Sequence, residues 1–446
     1  MRPLKISISG IRGVAGEDLT PAAVSRFACA YGRVAGGGKI AVATDARASR
    51  DMCFKAVCRG LSDSGCIPAS AGILPTPTLQ MIIPEIKASG GVCITASHNP
   101  PEWNGLKFYA ADGILLDESA MRRVISMFEE AGDGPAVSSP PGEIEEISEK
   151  ARAHHVKSVL AHLDAGLIRR GRFKAVVDSV NGAGGAVNSH FFRGLGCELI
   201  ELNPEMTGRF NRPAEPIPEN LEGLSSAVLE HKADIGFAQD PDADRLAIVL
   251  EDGSRPGEDY TLALAVKHIL SKTPGAVVTN LSTTRALEDI CGDFGVPLIR
   301  TRIGERNVVA GMQEAGAVIG GEGNGGVIFP AVHYGRDSLA GMGIILQAMA
   351  ESRKPVSGLL EDIPRYFIIK EKVPAEAILP VEEIKNIGLF SGAKIDLADG
   401  VRAAWDDSWA HVRGSGTEPA VRIIVEAKDE QSARTLYGKV LSAVSV

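Results

Sequence analysis

The sequence predicts an α/β fold, and three observations predict it. Short β-branched runs alternate with segments of helical period. Several of those runs end in a polar or glycine-rich loop that opens a helix. The length of 446 residues, at roughly 150 residues per domain, asks for about three such units with room for true cores. The runs in order are KIAVAT (39–44), GGVCITAS (90–97), KAVVD (174–178), ADIGFAQ (233–239), LAIVLE (246–251), AVVTN (276–280) and AVIGG (317–321), with MCFKAVCRGLSDSG (52–65) as a helical segment among them. Runs this apolar suit largely parallel sheets covered on both faces.

A weak internal repeat supports three related α/β domains: KIAVATDARAS (39–49), KAVVDSVNGAGG (174–185) and AVVTNLSTTR (276–285) share the strand, loop and helix order. Composition sets the boundaries. GDGPAVSSPPGEIEEISEK (132–150) reads as a first linker, EDGSRPGED (251–259) as a second, and a third falls near 354–355 or the IPRY of 363–366. Beyond it the crossovers thin out and a smaller α+β domain is expected. The predicted domains are therefore 1–140, 151–253, 254–364 and 365–446.

Hydrophobic residues make up 44% and charged residues 23%, which excludes a largely disordered chain. Fifty glycines against 5% aromatics favour glycine loops over stacking platforms for recognition. The net charge of −9, from 47 basic and 56 acidic residues, comes without a basic stripe. Counterion release onto a polyanion is therefore missing, and nucleic acid and acidic membranes are poor partners. An anionic ligand must be gripped by a local cluster of arginines and amides, which suits a small phosphorylated metabolite. Seven cysteines, odd in number and without a C-x-x-C pair, point to reduced thiols. MRPLKISISGIRG has no signal-type apolar region, and no stretch approaches the ~18 apolar residues of a membrane span, so a cytoplasmic enzyme is expected.

Four local patterns carry chemistry. DPDADR (240–245) lets Asp240, Asp242 and Asp244 converge from one tight loop between two strand-like runs, which implies Mg²⁺ or Ca²⁺. A calcium EF-hand is the rival, with Glu251 at its twelfth position. Arg245 stands where that loop needs glycine, and strands flank it. A solvated acidic turn is the plain alternative, opposed by the mutual repulsion of three close carboxylates. TASHNPPEWNGLK (95–107) holds Ser97 on a turn stiffened by prolines and Asn-Gly at a strand's end, where α/β proteins bind ligands. The G-x-S-x-G elbow of a hydrolase is absent, and an ordinary loop serine is the alternative. RGSGTEP (413–419) combines a guanidinium, hydroxyls and approachable amides into an anion nest without P-loop spacing, or is a plain turn. GGEGNGG (320–326) brings glycines around Glu322 and Asn324, as a backbone packed on a sugar-like ligand would need, or as a structural turn.

Taken in chain order, these motifs resemble the α-D-phosphohexomutase superfamily over the whole length. TASHNP resembles its serine loop, DPDADR its metal loop, GEGNGG its sugar loop and RGSGTEP its phosphate loop. SGIRG (9–13), DARAS (45–49), PTPT (75–78), PENL (218–221) and IGERNV (303–308) support the match. The resemblance implies three similar α/β domains with mixed sheets and a smaller C-terminal α+β domain around a central cleft. It implies that a phosphoryl group carried by Ser97 passes to a hexose 6-phosphate or 1-phosphate. A sugar 1,6-bisphosphate is then the intermediate and activator, and the protein is a monomer or homodimer. Ser97 with Asp240, Asp242 and Asp244 would ligate Mg²⁺. Lys107, Arg245 and His98 would serve the transfer, while Arg12, Gly304, Glu305, Glu322, Asn324, Arg413, Ser415, Gly416 and Thr417 would bind substrate.

Departures bear on the sugar. Asn324 and Gly326 stand where many relatives have serine and histidine. Glu305 replaces a histidine of some phosphomannomutases and phosphoglucomutases and agrees with the acid of phosphoglucosamine mutases. With HYGRDS (333–338), the sugar loop is similar to that of the archaeal-type phosphoglucosamine mutase branch, so glucosamine phosphate is expected, with mannose or glucose phosphate as the alternative. A non-catalytic phosphosugar-binding protein would lack one of Ser97, Lys107, Arg245 or the aspartates, and all are present. A phosphatase using Asp240 as nucleophile would not need Ser97.

Overall fold

The structure, a computed structural model, describes residues 4–7, 10–130, 144–414 and 420–445. The chain divides into two units, Met1–Thr261 with Asn324–Leu359 and Leu262–Gly323 with Leu360–Val446.

The first unit begins with a seven-stranded mixed sheet in the order Lys5–Ser7, Gly10–Val14, Trp103–Tyr109, Gly90–Ile94, Gly38–Thr44, Cys66–Ile73, Glu145–Glu146. Gly38–Thr44 runs parallel to Gly90–Ile94 and to Cys66–Ile73, whereas Trp103–Tyr109 returns antiparallel to Gly90–Ile94. Helix Pro21–Ala35 starts where Thr20 accepts the Ala23 amide with proline in the first turn, and it stops at left-handed Gly36. It packs on helix Arg50–Asp63, where only glycine fits at Gly60: a Cβ would stand 2.0 Å from the Ser25 carbonyl oxygen. Phe27, Tyr31, Val42, Val92, Leu106 and Phe108 fill the space between sheet and helices. Each large side chain buried there contributes about 1.5–3 kcal/mol.

A second sheet of the same unit has the order Leu246–Leu250, Ile235–Gln239, Lys174–Asp178, Glu198–Leu202. Ile235–Gln239 is parallel to Lys174–Asp178 and antiparallel to Leu246–Leu250, with Gln239 opposite Leu246. The acidic hexapeptide is thus the connection of a hairpin whose strands are buried throughout.

In the second unit Val277–Asn280 lies between parallel neighbours Leu298–Thr301 and Ile319–Glu322. The C-terminal segment is α+β: Phe367–Pro374, Ala420–Ala427, Ser408–Gly414, Val401–Ala404 and Lys394–Asp396 form an antiparallel sheet. Helix Glu430–Val444 covers it through Val440 and Val444 on Val412, Ile423 and Val425.

Two expectations shift. GGVCITAS leaves its sheet after Ile94, so Thr95, Ala96 and Ser97 belong to the loop. The linker expected over 132–150 is shorter at its C-terminal end. Residues 131–143 lie outside the described residues, but Glu145–Glu146 joins the first sheet beside Cys66–Ile73 and helix Ser148–Leu160 follows. Glu149 in that helix's first turn is a favourable helix start, which the acidic composition disguised as a linker. All seven cysteines are free thiols. Among the described residues no helix is long and apolar enough to cross a membrane.

Candidate active site

Ser97 sits on a loop shaped by a buried arginine. Arg47 is fully buried, pairs through Nε with Asp45 at 3.0 Å, and donates to the carbonyls of Ser97 at 2.6 Å, Asn99 at 2.7 Å, Trp103 at 3.0 Å and Pro100. Asp45 also accepts from Thr95 Oγ1 at 2.7 Å, and Thr95 Oγ1 accepts the Ser97 amide at 2.8 Å. This network holds Ser97 at φ 49°, a left-handed conformation that costs a non-glycine residue about 1–2 kcal/mol. Arg12 donates to Asn99 Oδ1 at 2.8 Å, and half-buried His98 lies in the same turn.

The serine hydroxyl donates to Asp240 Oδ2 at 2.9 Å, which unites the serine loop with the acidic hairpin. One oxygen from each of Asp240, Asp242 and Asp244 lies within 4.8 Å of the others, with Ala243 left-handed between the last two. Asp240 Oδ1 accepts the amides of Asp244 and Arg245, both at 3.1 Å. Lys107 Nζ bridges Asp242 Oδ2 at 2.6 Å and Asp244 Oδ2 at 2.9 Å. Arg245 reaches Glu215 at 3.0 Å, Asp244 Oδ1 at 3.9 Å and Asp240 Oδ2 at 4.0 Å.

Electrostatics separate the three acids. Burial pushes the Asp240 carboxyl well above the usual range, and repulsion from Asp242 and Asp244 adds to it. Burial and Asp244 also push Asp242 upward, but Lys107 and the Thr76 hydroxyl outweigh them and hold it below the usual value. Burial of Asp244 is outweighed by Arg336, then Lys107 and Arg245, so it lies far below the usual range. Burial lowers Arg12 despite the nearby Asp242. Asp242 Oδ1 and Asp244 Oδ1 are buried and accept no hydrogen bond among the described residues. Two unused carboxylate oxygens beside a third acid fit a hard divalent cation.

The substrate-binding expectations in the second unit meet around Glu322. This residue ends strand Ile319–Glu322, and its Oε1 accepts from Asn280 Nδ2 at 2.9 Å and the Gly304 amide at 3.0 Å. Gly304, at φ 120°, immediately precedes the helix that opens with buried Glu305. Arg413 Nε pairs with Asp399 Oδ1 at 3.2 Å, and Asp399 Oδ2 accepts the Ile303 amide at 3.0 Å. The structure therefore brings Gly304, Glu305, Glu322 and Arg413 into one neighbourhood. Ser415, Gly416 and Thr417 lie outside the described residues.

At two glycines the run follows the structural-turn alternative. Gly325, at φ 81°, passes so close to the strand after the acidic loop that a Cβ would stand 2.0 Å from the Leu246 carbonyl oxygen. At Gly326 a Cβ would stand 2.2 Å from Arg336 Cδ. Asn324 Oδ1 accepts the Gly326 amide at 3.1 Å and so caps the turn. These two glycines serve approach of protein to protein.

Four residues of this machinery had no role assigned from sequence. Thr76 donates to Asp242 Oδ2 at 2.6 Å, and Arg336 to Asp244 Oδ2 at 2.6 Å. Arg47 shapes the serine loop, and Asp399 links Arg413 to the Ile303–Gly304 turn. Arg47, Thr76 and Arg336 fall within DARAS, PTPT and HYGRDS. Asp399, in a polar turn, carried no signal.

A hydroxyl on a strained loop beside a buried trio of acids, with lysine and arginine in attendance, defines a candidate centre for phosphoryl chemistry. Comparison with known proteins gives its family. The phosphoglucomutase/phosphomannomutase models match as α/β/α domain I over residues 4–134, domain II over 153–253, domain III over 257–367 and the C-terminal domain over 369–442. The chain belongs to the phosphoglucomutase/phosphomannomutase family. A Methanopyrus kandleri relative bearing the name "Probable phosphoglucosamine mutase" is 38% identical, covering 98% of this chain and 96% of its own. A "Phosphoglucomutase/phosphomannomutase" of Thermococcus kodakarensis is 36% identical over 95% of each chain. The crystal structure of a phosphoglucomutase/phosphomannomutase family protein from Burkholderia thailandensis superposes with a TM-score of 0.83 at 26% identity, covering 98% of both chains.

Proposed function

We propose that the protein is a phosphohexomutase that interconverts hexose 6-phosphate and hexose 1-phosphate through a phosphoserine at Ser97, with glucosamine phosphate as its preferred substrate. The observation that carries the reading is the hydrogen bond of Ser97 Oγ to Asp240, inside a buried cluster that also holds Asp242, Asp244, Lys107 and Arg245.

In the proposed cycle the phosphorus–Oγ bond of phosphoserine breaks as the free sugar hydroxyl forms its own bond to phosphorus, and the proton that the hydroxyl gives up is balanced by one taken up at the leaving Ser97 Oγ. The product is a sugar 1,6-bisphosphate. After the sugar reverses its ends, the other phosphate returns to Ser97 Oγ and the isomeric monophosphate leaves; added bisphosphate primes an unphosphorylated enzyme. Lys107 and Arg245 supply fixed positive charge at the transfer, with Arg12 and His98 beside the same loop. Asp240, Asp242, Asp244 and the Ser97 phosphate would hold Mg²⁺, whose charge stabilises the phosphoryl group in transit. Arg413, with Ser415, Gly416 and Thr417, would grip the phosphate that is not reacting. Gly304, Glu305, Glu322 and Asn324 would face the sugar.

The amino-sugar preference rests on Glu305, an acid that favours an ammonium, and on the kinship of the GEGNGG loop. Relatives of near-equal identity carry names for glucosamine and for glucose or mannose phosphates, so names alone do not choose. The test is a coupled mutase assay with Mg²⁺ and a trace of sugar bisphosphate, comparing kcat/KM for glucosamine, mannose and glucose phosphates. No turnover of any of them rejects the mutase. Equal or better rates with the neutral sugars reject only the amino-sugar preference.

A further inference from the structure

The metal-loop acids share a pattern of used and unused oxygens. Asp242 Oδ2 receives Thr76 Oγ1 at 2.6 Å and Lys107 at 2.6 Å, and Asp244 Oδ2 receives Arg336 at 2.6 Å and Lys107 at 2.9 Å. The Oδ1 of each is buried and accepts no hydrogen bond among the described residues. Every strong donor therefore falls on one side of each carboxylate, leaving the other side for something else.

Both outer donors are themselves held. Thr76 opens helix Thr76–Glu85 and is fully buried; its amide donates to the Asp242 carbonyl at 2.9 Å, so backbone and side chain grip the same residue. Its hydroxyl lies 3.3 Å from Cys93 Sγ, a thiol pushed up to about 12 by burial, so the thiol can donate while the hydroxyl's proton goes to Asp242. Two residues further, Thr78 meets His155 Nδ1 at 2.7 Å, and His155 Nε2 meets Asp337 Oδ2 at 3.0 Å. Asp337 caps helix Ser338–Ser352 through the Leu339 amide and directly follows Arg336. The first turn of one helix thus fixes Asp242 directly and, through His155 and Asp337, braces the segment that carries Arg336.

We propose that Thr76 and Arg336 are positioning residues of the metal site, each holding Oδ2 of one aspartate so that Oδ1 is presented to the cation. This rests on the reading of the aspartates as metal ligands. Groups that orient a ligand by hydrogen bonding commonly set metal affinity by 10–100-fold. Charge must be kept constant in the test, because deleting the Arg336 cation would also strengthen the attraction of the site for a cation and mask lost orientation.

The probe is Mn²⁺, titrated by electron paramagnetic resonance into the full chain and its Thr76→Val, Thr76→Ser and Arg336→Lys variants. Metal-free melting of each variant is measured alongside. Thr76→Val is expected to raise the Mn²⁺ Kd by about tenfold, Thr76→Ser to stay within threefold of the parent, and Arg336→Lys to raise Kd at least threefold. A purely structural role would lower the metal-free Tm and leave Kd of the folded protein unchanged. Kd within twofold of the parent in folded Thr76→Val and Arg336→Lys overturns the proposal while the metal site stands. If Thr76→Val does not fold, Thr76→Ala takes its place under the same criteria. A parent chain that binds no Mn²⁺ overturns the metal reading and the proposal together.

Discussion

The acids of the transfer site and the acid of the sugar loop are buried alike but held differently. Asp240, Asp242 and Asp244 are met by the cations of Lys107, Arg245 and Arg336, whereas Glu322, only 3% exposed, accepts from the neutral amides of Asn280 and Gly304. Three carboxylates in one loop repel strongly enough to require formal positive charge, and such a site suits a reaction in which charge moves. Two amides donating to one oxygen fix the direction of the Glu322 carboxylate, which suits the proposed reading of hydroxyls or an amine. On the proposed function, the difference puts chemistry in one region and discrimination in the other.

The largest effect should come from the transfer region. Ser97→Ala is expected to lower kcat by on the order of a thousandfold or more, since the covalent carrier is gone. Its melting temperature should hardly move, because a loop hydroxyl adds little to a core. Near-parental turnover would refute the phosphoserine and leave Asp240 as the residue to examine. Loss of activity with loss of fold would instead make the Ser97 hydroxyl a structural partner of Asp240.

Arg413→Ala should act on binding. A charge-assisted hydrogen bond to a phosphate contributes about 1.5–3 kcal/mol, so KM should rise roughly 10–150-fold with kcat changed far less. A fall in kcat at unchanged KM would place Arg413 with the transferring groups and erase the contrast between the regions.

How much of this was legible depends on how locally each feature is written. D-x-D-x-D within six residues announces its acids, and the apolar runs on both sides announce the hairpin, so the transfer loop could be read from its own segment. The holders could not. Thr76 and Arg336 lie 166 and 92 residues from the aspartates they grip, and only folding shows that their hydroxyl and guanidinium end there. Asp399 belongs to a turn with no distinctive composition. For Gly325 and Gly326 the sequence leaves a ligand-packed backbone and a structural turn open, because glycine reports close approach without saying what approaches.

His411 extends the contrast to pH. Its Nε2 lies 2.5 Å from the Asp399 carbonyl and its Nδ1 2.8 Å from Ser282 Oγ, and burial lowers its pKa to about 4. The unfolded ring takes a proton near 6.5, so between 6.5 and about 4 the unfolded chain binds more protons than the folded one. This contribution to stability is fully present above 6.5 and is lost as pH falls toward 4, by at most about 3 kcal/mol. The depressed Asp242 and Asp244 act lower, losing their contribution only below the ordinary carboxylate range. His411→Gln should flatten the pH dependence of denaturant unfolding between 6.5 and 4. An unchanged slope would mean that another group titrates there.

The smallest effect should separate sugars. Glu305 opens its helix, so Glu305→Gln removes a charge favourable to the helix N-terminus at a cost of about 0.3–1 kcal/mol of stability whichever sugar is bound. The ratio of kcat/KM for glucosamine phosphate to that for mannose phosphate cancels this common loss and retains only what the carboxylate does for the amine. A substrate ammonium paired with the Glu305 carboxylate gains on the order of 1 kcal/mol, so the ratio should fall about fivefold. A constant ratio would show that Glu305 serves its helix alone. Discrimination would then have to come from how the Glu322 carboxylate and the Asn324 amide meet the ring in the proposed sugar site.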